Sequence, residues 1–491
     1  MLTAAVAATS ALDLRDPDLL RSQVFIDGVW EGQGVNPVLN PANGRTVGLA
    51  CDVGTDGARR AVEAAQIAFG EWRTQTAAER AGLLWRWHAA VLEAQDDLAR
   101  LLTAEQGKPL AEALGEIAYA AAYIAWYAEE ARRLYGEVIP SPRRDSRIVV
   151  LSQPVGVVAA ITPWNFPGAM VTRKLAPALA AGCTVVLKPA PQTPLTALAL
   201  TRLLERAGAP KGVINVVTGD AAPIGEVLTV HPAVRKLSFT GSTAVGKRLT
   251  AQVASTMKRV SMELGGNAPF VVFNDADIDA AVAGLMASKF RNAGQTCVSV
   301  NRIYVQALVA AAFEAKLAAA MDAIVVGPGD LAGVQQGPLI DESAVAKVQR
   351  HVDDAINRGA RVVRGGTRHA MGGTFYSPTL IADCSAGMAI ATEETFGPLA
   401  ALFVFEEEAD AVALANASEA GLAGYFYTRD HARAWRVAEA LEVGMVGVNT
   451  GLISTEVAPF GGVKESGVGR EGSRHGLRDY VDLKYVCFSG L

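Results

Sequence analysis

Residues 155–161 read VGVVAAI, and similar short apolar runs follow at 184–188 (TVVLK), 213–217 (VINVV) and 236–239 (KLSF). The segments between these runs have the spacing of amphipathic helices. Strands that alternate with helices at this interval favour a parallel sheet with helices on both faces. The helices are predicted near residues 168–181, 194–208, 222–230 and 243–256.

A second series of strands and helices begins at Pro269–Phe273 and ends at Met445–Asn449. The glycine pair Gly265-Gly266 separates the two series, so the sequence predicts an α/β protein with two doubly wound parallel sheets. Between the first and last strands of this second series, the predicted strands are Arg302–Gln306, Ala360–Arg364, Leu399–Phe405 and Gly424–Tyr427.

The N-terminal block is mostly helical in pattern. Residues 1–23 are predicted to be a loose arm, and Gln23–Trp30 a short hairpin with its turn at Asp27-Gly28. Helical spacing starts after Gly57 and places apolar residues on one face. That face consists of Ala61, Val62, Ala65, Phe69 and Trp72, and two further helices are predicted from about Glu79 to Gln106 and from Leu110 to Leu134.

Two other segments, Arg147–Gln153 and Tyr480–Phe488, have strand character. In the second, apolar residues alternate with mostly polar ones. Such a strand needs a partner, which is either the first segment or a second subunit.

Composition excludes several classes of protein. Half of the 491 residues are hydrophobic and 19% are charged, which is typical of a globular protein rather than a disordered one. A net charge of −5 lacks the basic footprint of a nucleic-acid-binding protein. The five cysteines are sparse, without a C-x-x-C pair, which favours a reducing compartment, and the histidine spacing predicts no metal site.

The longest uncharged run, residues 148–172, is long enough to raise the question of a membrane segment. Three prolines within it would leave backbone groups unpaired in lipid, so a buried strand followed by a loop is the better interpretation. The N-terminus has no Lys or Arg before Arg15, unlike a secretory signal. We therefore expect a cytoplasmic protein without membrane contact.

An anion site is suggested where the apolar strand at residues 236–239 leads into Gly241-Ser242 and then a helix. The N-terminus of a helix presents free N–H groups to an anion, although Ser242 could equally be a simple helix cap. Lys188 ends another apolar strand and would face the ligand crevice of an open sheet, or simply solvent. The G-x-G-x-x-G run at 467–472 lacks the context of a nucleotide site and is predicted to be a surface loop.

Three residues are candidates for chemistry. Cys297 follows a helical stretch that breaks at Gly294, where a thiol with access and a lowered pKa would be a nucleophile; the alternative is a small core residue. Glu263 at a strand end would have a raised pKa suited to a general base, or would be an ordinary turn charge. Asn165, between two prolines, is either a rigid oxyanion donor or a turn residue.

Taken together in this order, seven motifs resemble those of the NAD(P)-dependent aldehyde dehydrogenase superfamily, over about residues 24–488. Within it the chain is most similar to the succinate-semialdehyde dehydrogenases, at Glu263–Phe273, Ser288–Cys297 and Gly451–Gly472. The seven motifs are Pro163–Pro167, Lys188, Phe239–Gly246, Glu263–Asn267, Gly294–Cys297, Glu393–Pro398 and Pro459–Gly462.

The resemblance implies a mechanism in which the Cys297 thiolate attacks an aldehyde, Asn165 and the Cys297 N–H hold the oxyanion, and hydride goes to the nicotinamide. Glu263 then activates the water that hydrolyses the thioester. It implies that Lys188 reaches the adenosine ribose, Gly241 and Ser242 the pyrophosphate, and Glu394 the nicotinamide ribose. The full cofactor set is Trp164, Asn165, Lys188, Pro189, Ala190, Pro191, Gly241, Ser242, Gly246, Leu264, Glu394 and Phe396.

The substrate is expected to be succinate semialdehyde, because Arg173 and Arg291 match positions that bind a remote carboxylate and Ser454 matches a hydroxyl contact, with Phe460 completing the set. Guanidinium groups suit a carboxylate tail, and the alternative for each is a structural ion pair. Glutarate semialdehyde differs by one methylene, worth only about 1–3 kcal/mol, and remains an alternative. A non-redox cysteine hydrolase or acyltransferase using Cys297 is the other.

Two positions depart from the related enzymes. Ser299 stands where several relatives carry a second thiol, so no disulfide switch is expected at this loop. Pro191 stands where NAD-preferring relatives often carry a glutamate that repels a 2′-phosphate. Either NADP or NAD is expected, with a slight preference for NADP.

The resemblance also implies three regions and an oligomer. A cofactor domain is predicted from residues 1–138 and 157–265, a catalytic domain from 266–465, and a small β oligomerisation segment from 139–156 and 466–491. We expect a homodimer or homotetramer.

Overall fold

The computed structural model describes residues 12–491. The predicted N-terminal arm therefore lies outside the described residues as far as residue 11. For residues 12–23 the expectation of a loose arm is wrong, because Leu19 is buried and the N–H groups of Arg15 and Asp16 donate to the carboxylate of Asp97 at 2.9 and 2.8 Å.

Short apolar runs form most of the strands, as predicted, with ends that move by one or two residues. The strands are β1 Val24–Ile26, β2 Val29–Glu31, β3 Gly34–Leu39, β4 Thr46–Cys51, β5 Glu137–Ile139, β6 Ser146–Pro154, β7 Val157–Ile161, β8 Thr184–Lys188, β9 Ile214–Val216, β10 Val234–Thr240, β11 Arg259–Glu263, β12 Ala268–Val272, β13 Val300–Gln306, β14 Arg361–Arg364, β15 Thr379–Ala382, β16 Leu399–Phe405, β17 Ala420–Gly421, β18 Ala423–Tyr427, β19 Met445–Val448, β20 Val463–Lys464, β21 Gly467–Val468 and β22 Val481–Ser489.

The helices also lie where the apolar spacing predicts them, with one difference. The helix predicted from Glu79 to Gln106 is two helices that meet at Ala94, whose backbone leaves the helical region. The α-helices are α1 Gly54–Trp72, α2 Ala77–Glu93, α3 Gln95–Gln106, α4 Leu110–Ala131, α5 Ala169–Ala181, α6 Leu195–Arg206, α7 Ala221–Val230, α8 Thr243–Ala254, α9 Ile278–Lys289, α10 Ala307–Asp322, α11 Glu342–Asn357, α12 Ala389–Thr392, α13 Glu408–Asn416, α14 His431–Ala440 and α15 Ser473–Arg478.

Two large sheets organise the chain, which confirms the predicted α/β class. The first has the order β2-β1-β9-β8-β7-β10-β11-β21, and its five strands from β9 to β11 are parallel. The second has the order β14-β15-β16-β13-β12-β18-β19 and is parallel from β15 onward. The predicted hairpin is also present, with Ile26 paired to Val29 and positive φ at both Asp27 and Gly28.

The two sheets meet end to end at the predicted glycine pair. The link 264–267 joins the carboxyl end of β11 directly to the amino end of β12. Side chains that follow the strands of the first sheet therefore face side chains that precede the strands of the second. The first sheet reverses its strand order between β7 and β10, and an open α/β sheet binds its ligands at the carboxyl ends of the strands at such a point.

The strand-like C-terminal segment pairs within the chain. β22 runs antiparallel to β6 over nine residue pairs, and β5 completes this three-stranded sheet. Leu483, Tyr485 and Phe488 remain exposed on β22. No helix in residues 12–491 combines the length and apolar character needed to cross a membrane. The division of the chain into cofactor, catalytic and oligomerisation regions stays a prediction.

Candidate active site

A cavity of about 440 Å³ opens at the switch point of the first sheet. Its lining includes Asn165 from the loop after β7, Gly241 from the end of β10 and Glu263 from the end of β11. Cys297, just before β13, also lines it. The carboxyl end of one sheet and the amino end of the other thus build one site. Its other walls include Pro163, Trp164, Met170, Gln192, Thr240, Ser242, Leu264, Gly265, Ile340, Asp341, Ser343, Ala344, Lys347, Glu394, Thr395 and Phe396.

The Cys297 loop is held by an unusual backbone. Helix α9 ends at Lys289, five residues before the expected break at Gly294, and Asn292, Ala293 and Gly294 then have φ of 51°, 54° and 75°. Two of these residues are not glycine, so their left-handed conformation is costly and must be imposed by the surroundings. A Cβ at Gly294 would lie 2.1 Å from the carbonyl oxygen of Gly397, so only glycine fits there.

Cys297 itself is half-buried, and its pKa is not lowered as expected. Burial raises the pKa of the thiol to about 12, and the positive charges of Arg173 and Arg291 only partly oppose this rise. The free enzyme therefore holds a thiol rather than a thiolate, because desolvation outweighs the nearby cations. A nucleophilic Cys297 needs a base that removes its proton when the substrate is bound.

Asn165 is buried beside this loop. Its Nδ2 donates to the carbonyl oxygen of Gln295 at 3.0 Å, two residues before Cys297. The backbone carbonyl oxygen of Asn165 accepts from Lys108 Nζ at 2.8 Å and from Asn292 Nδ2 at 3.0 Å. One amide hydrogen of Asn165 is thus used for positioning, and the other stays available to an oxygen in the cavity.

Glu263 is buried, and neither of its carboxyl oxygens has a hydrogen-bond partner in the described part of the chain. Burial raises its pKa well above the usual range, and the negative charge of Glu471 adds to this effect. A Cβ on Gly461 would lie 2.8 Å from Glu263 Oε1, so the glycine makes room for the carboxyl group. A buried carboxyl group without partners is suited to accept a proton.

The loop at 467–472 is not the predicted surface loop. Gly467-Val468 forms β21 and pairs with β11 at Met262 and Glu263. Glu471 is buried, and its Oε1 accepts from Lys174 Nζ at 2.6 Å. The glycines are present because the chain crosses the end of the first sheet closely: a Cβ on Gly467 would lie 1.8 Å from the carbonyl oxygen of Met262.

The predicted substrate residues lie outside the lining of the 440 Å³ cavity, although the charges of Arg173 and Arg291 act on the Cys297 thiol. Arg173 is buried, with Nε 2.8 Å from Glu471 Oε2 and its guanidinium 3.8 Å from the ring centroid of Phe460. It is therefore in an ion pair, yet its Nη2 has no hydrogen-bond partner among the described residues. Arg291 lies over the Phe166 ring at 5.3 Å, with a buried Nε that is likewise unpartnered.

Ser454 is half-buried, and its hydroxyl group makes no hydrogen bond within residues 12–491. It lies in the loop between β19 and β20, which also carries Phe460.

Several predicted cofactor residues come together in the cavity. Trp164 and Phe396 meet edge to face at 5.5 Å between centroids, and Leu264 lies beside them in the lining. Gly246 allows helix α8 to pack closely, because a Cβ there would lie 2.3 Å from Leu264 Cδ2. Aromatic walls beside a helix N-terminus are features of a site for a dinucleotide.

The Gly241-Ser242 turn forms a helix cap and also leaves backbone N–H groups for an anion, the two functions predicted for it. Gly241 N–H donates to the carbonyl oxygen of Glu263 at 3.1 Å, so this group is not free for a phosphate. Ser242 caps α8, since its Oγ accepts from Val245 N at 3.4 Å. The N–H groups of Thr243 and Ala244 have no partner within the helix and remain available to an anion.

Lys188, Pro189, Ala190 and Pro191 lie outside the cavity lining, at the carboxyl end of β8. Lys188 is buried, and burial lowers its pKa to about 8 while the charges of Asp220 and Asp52 oppose this change. Pro191 is exposed, and its neighbour Gln192 lies in the lining.

Glu394 lines the cavity and accepts from Gly266 N, just after the end of β11, at 3.2 Å. Lys347 of α11 was not predicted as a site residue, but it lines the cavity and its positive charge acts on Glu394. It gives no signal in sequence, because α11 has the pattern of an ordinary amphipathic helix.

Ser299 leads to a prediction about oxidation. We expect peroxide to inactivate the enzyme without forming a disulfide to Cys297, since the position two residues on carries a buried hydroxyl group rather than a thiol. Peptide mapping under non-reducing conditions checks this. Ser299→Cys is the matched control and should gain inactivation that dithiothreitol reverses; a Cys297 disulfide in the unaltered chain would contradict the prediction.

Comparison with known proteins agrees with this geometry. Residues 30–486 match the model of the aldehyde dehydrogenase family. A 3-sulfolactaldehyde dehydrogenase of Pseudomonas putida is 60% identical over 98% of this chain and 99% of that protein. A glutarate-semialdehyde dehydrogenase of Pseudomonas aeruginosa (98% of this chain, 100% of that protein) and an NADP(+) succinate-semialdehyde dehydrogenase of Escherichia coli (97% and 99%) are each 57% identical.

Solved structures agree as well. The crystal structure of succinate-semialdehyde dehydrogenase from Burkholderia pseudomallei has a TM-score of 0.96 and 56% identity, and the match covers 97% of this chain and 100% of that chain. The family match, these identities and the geometry of the site together show that the chain belongs to the aldehyde dehydrogenase family and is an NAD(P)-dependent oxidoreductase.

Proposed function

We propose that this enzyme oxidises succinate semialdehyde to succinate, with NADP or NAD as the acceptor. The observation that carries the proposal is a single site in which Cys297, Asn165 and Glu263 share a cavity, while Arg173 and Arg291 lie close enough to act on the thiol. Each guanidinium keeps a buried N–H without a partner. Such donors are costly unless a substrate oxygen pairs with them, and a carboxylate is the natural partner.

The chain's own groups account for the covalent steps. Cys297 attacks the aldehyde carbon as its thiol proton passes to solvent, so the carboxylate of Glu263 stays ionised for the later step. The resulting oxyanion accepts hydrogen bonds from Asn165 Nδ2 and from the Cys297 backbone N–H. After oxidation to a thioester, Glu263 takes a proton from water, which attacks the carbonyl carbon and releases the acid and the thiol.

The residues of the cavity fit the cofactor. The aromatic pair Trp164 and Phe396, the free N–H groups at the start of α8 and the carboxylate of Glu394 would hold it, with Lys188 at the adenosine end. When bound, it supplies the hydride acceptor and a positively charged ring.

The named relatives support the substrate class. Succinate-semialdehyde, glutarate-semialdehyde and 3-sulfolactaldehyde each carry an aldehyde at one end and an acid group at the other. Glutarate semialdehyde is the second candidate, because one methylene changes binding by only about 1–3 kcal/mol. A cysteine hydrolase is a weaker alternative, since it leaves the nucleotide features of the cavity without a use.

A panel of kcat/KM values tests the proposal. Succinate semialdehyde, glutarate semialdehyde, 3-sulfolactaldehyde and butanal are compared with NADP and with NAD, by absorbance at 340 nm. We expect the four-carbon semialdehyde to have the highest value and uncharged butanal a much lower one. Butanal as the best substrate would overturn the proposal for the substrate class, and a better five-carbon substrate would favour the alternative.

Arg291→Gln gives a sharper test of the acid tail. We expect kcat/KM for succinate semialdehyde to fall about 10- to 150-fold, equivalent to about 1.5–3 kcal/mol, because a hydrogen bond to a charged group is lost. Butanal is the control substrate and should change little, since it has no carboxylate. An equal loss for both substrates would assign Arg291 a structural role instead.

We also propose the predicted three regions for this chain, and a homodimer or homotetramer built through the three-stranded sheet. The exposed apolar residues Leu483, Tyr485 and Phe488 on β22 support an interface there. Sedimentation velocity of the purified chain tests the oligomer. The free cysteines of the chain support a reducing compartment, and we propose the cytoplasm.

A further inference from the structure

A buried lysine next to the site has no role in the steps above. Lys289 is the last residue of α9, and its side chain is fully buried. Its Nζ donates to Asn301 Oδ1 at 3.5 Å, and no carboxylate in residues 12–491 comes within ion-pair distance of it. Burial lowers its pKa to about 7. A buried ammonium with one long hydrogen bond is costly and needs a reason.

Asn301 connects this ammonium to the loop that carries Glu394. The same Oδ1 atom accepts from Thr395 N at 3.3 Å, and Thr395 follows Glu394 directly. The charges act on each other in both directions: Glu394 raises the pKa of Lys289, and Lys289 lowers that of Glu394. The two charges thus act on each other beyond ion-pair distance, and Asn301 links Lys289 to the residue that follows Glu394.

The surroundings of Glu394 explain why it needs such a partner. Burial raises the pKa of its carboxyl group to about 7, so its charge is in balance near neutral pH. The Gly266 N–H, Lys347 from α11 and Lys289 from α9 act against this rise. On the neighbouring position, Glu393 pairs with Arg350 and contacts His351, so those charges are already compensated.

We propose that Lys289 is a positioning residue for the cofactor: its buried ammonium acts together with Lys347 to keep Glu394 charged and able to accept hydrogen bonds from the cofactor ribose. The inference rests on the proposed function, because it requires Glu394 to contact the cofactor. Lys347 is half-buried at the cavity wall and is the stronger of the two cations that act on Glu394. Lys289 adds its charge from the buried, protein side of the carboxyl group.

Equilibrium binding of NADP and of NAD, followed by quenching of protein fluorescence, tests the inference at several pH values around neutrality. Trp164 lines the cavity and serves as the reporter. In Lys289→Met we expect cofactor binding near pH 7 to weaken about tenfold, because Glu394 then takes up a proton more readily. Cofactor affinity should fall at low pH as Glu394 becomes protonated, and we call this fall the acidic limb of the binding curve. In Lys289→Met the acidic limb should move to higher pH, and in Glu394→Gln it should be absent.

Lys258→Met is the matched control. Lys258 is also buried and also donates to a single oxygen, the carbonyl of His231 at 2.9 Å, but it precedes β11 and lies at the opposite end of that strand from Glu263. Its replacement should leave cofactor binding and the pH curve unchanged. In a Glu394→Gln background, Lys289→Met should have no further effect on binding, because the residue acts through Glu394.

Asn301→Asp covers the case in which Lys289→Met does not fold. The isosteric carboxylate keeps both hydrogen bonds but competes for the ammonium, so the acidic limb should again move to higher pH. An unchanged limb in both variants, or an equal loss in the Glu394→Gln background, would overturn the role of Lys289. Failure of the unaltered enzyme to bind either cofactor would instead overturn the proposed function.

Discussion

Cys297→Ala is expected to lower aldehyde oxidation by at least about 10⁴-fold, because removing a nucleophile abolishes the covalent route entirely. Cofactor binding should remain close to that of the unaltered enzyme. Cys297 is one wall residue among many, and the aromatic pair and the helix N-terminus that would hold the nucleotide are independent of it. Absorbance at 340 nm measures the first effect, and fluorescence titration with the cofactor measures the second.

Cys384→Ala is the matched control for this experiment. Cys384 is also half-buried, and burial raises its pKa to about 12, as it does for Cys297. The two thiols therefore differ in location rather than in acidity, and only Cys297 lies in the cavity. Full activity in Cys384→Ala and none in Cys297→Ala would establish that position; oxidation retained in Cys297→Ala would refute the assignment of the nucleophile.

Glu263→Gln should reduce steady-state turnover by about 10²–10⁴-fold, the usual contribution of a general base. A burst of reduced cofactor should persist in the first turnover, since thioester hydrolysis becomes the slow step. In the unaltered enzyme we expect kcat to rise with pH, because burial raises the pKa of Glu263 and only its ionised form accepts a proton. Rapid-mixing absorbance at 340 nm measures both the burst and the turnover.

The variant also separates two uses of the carboxylate. Loss of the burst together with turnover would mean that Glu263 mainly removes the thiol proton of Cys297, and an unchanged turnover would exclude it as a base altogether. Glutamine keeps the size of the side chain, so thermal unfolding should show little change. The pH dependence of kcat should disappear, because glutamine does not ionise. The charged groups that shift the pKa of Glu263 (Arg173, Lys174, Arg470 and Glu471) then act on a neutral side chain.

Local patterns predicted the secondary structure well. The apolar runs at 157–161 and 184–188 form buried parallel strands, since such strands show no polar alternation and read plainly in sequence. Strand β15 (Thr379–Ala382) and the pair β3–β4 were missed, because short runs without strong flanking signals resemble loops. The break at Ala94 was missed because alanine has no sequence signature of a helix end.

The site was predictable as a set of residues but not as an electrostatic environment. Cys297, Glu263 and Asn165 stand out by motif, and the structure brings them to one cavity. The pKa of Cys297 was not predictable, because it depends on burial by residues far apart in the chain. Lys347 and Lys289 were missed for the same reason. The sequence around an isolated lysine in a helix does not indicate that the fold brings its charge near Glu394.

The sequence by itself determined the α/β class, the two series of strands that meet at Gly265-Gly266, and the family, because each depends on patterns within a few residues. Only the tertiary structure decided that β22 pairs with β6, that the 467–472 loop crosses the end of the first sheet, and that Arg173 is paired with Glu471. Those facts depend on contacts between residues more than a hundred positions apart, which local pattern does not encode.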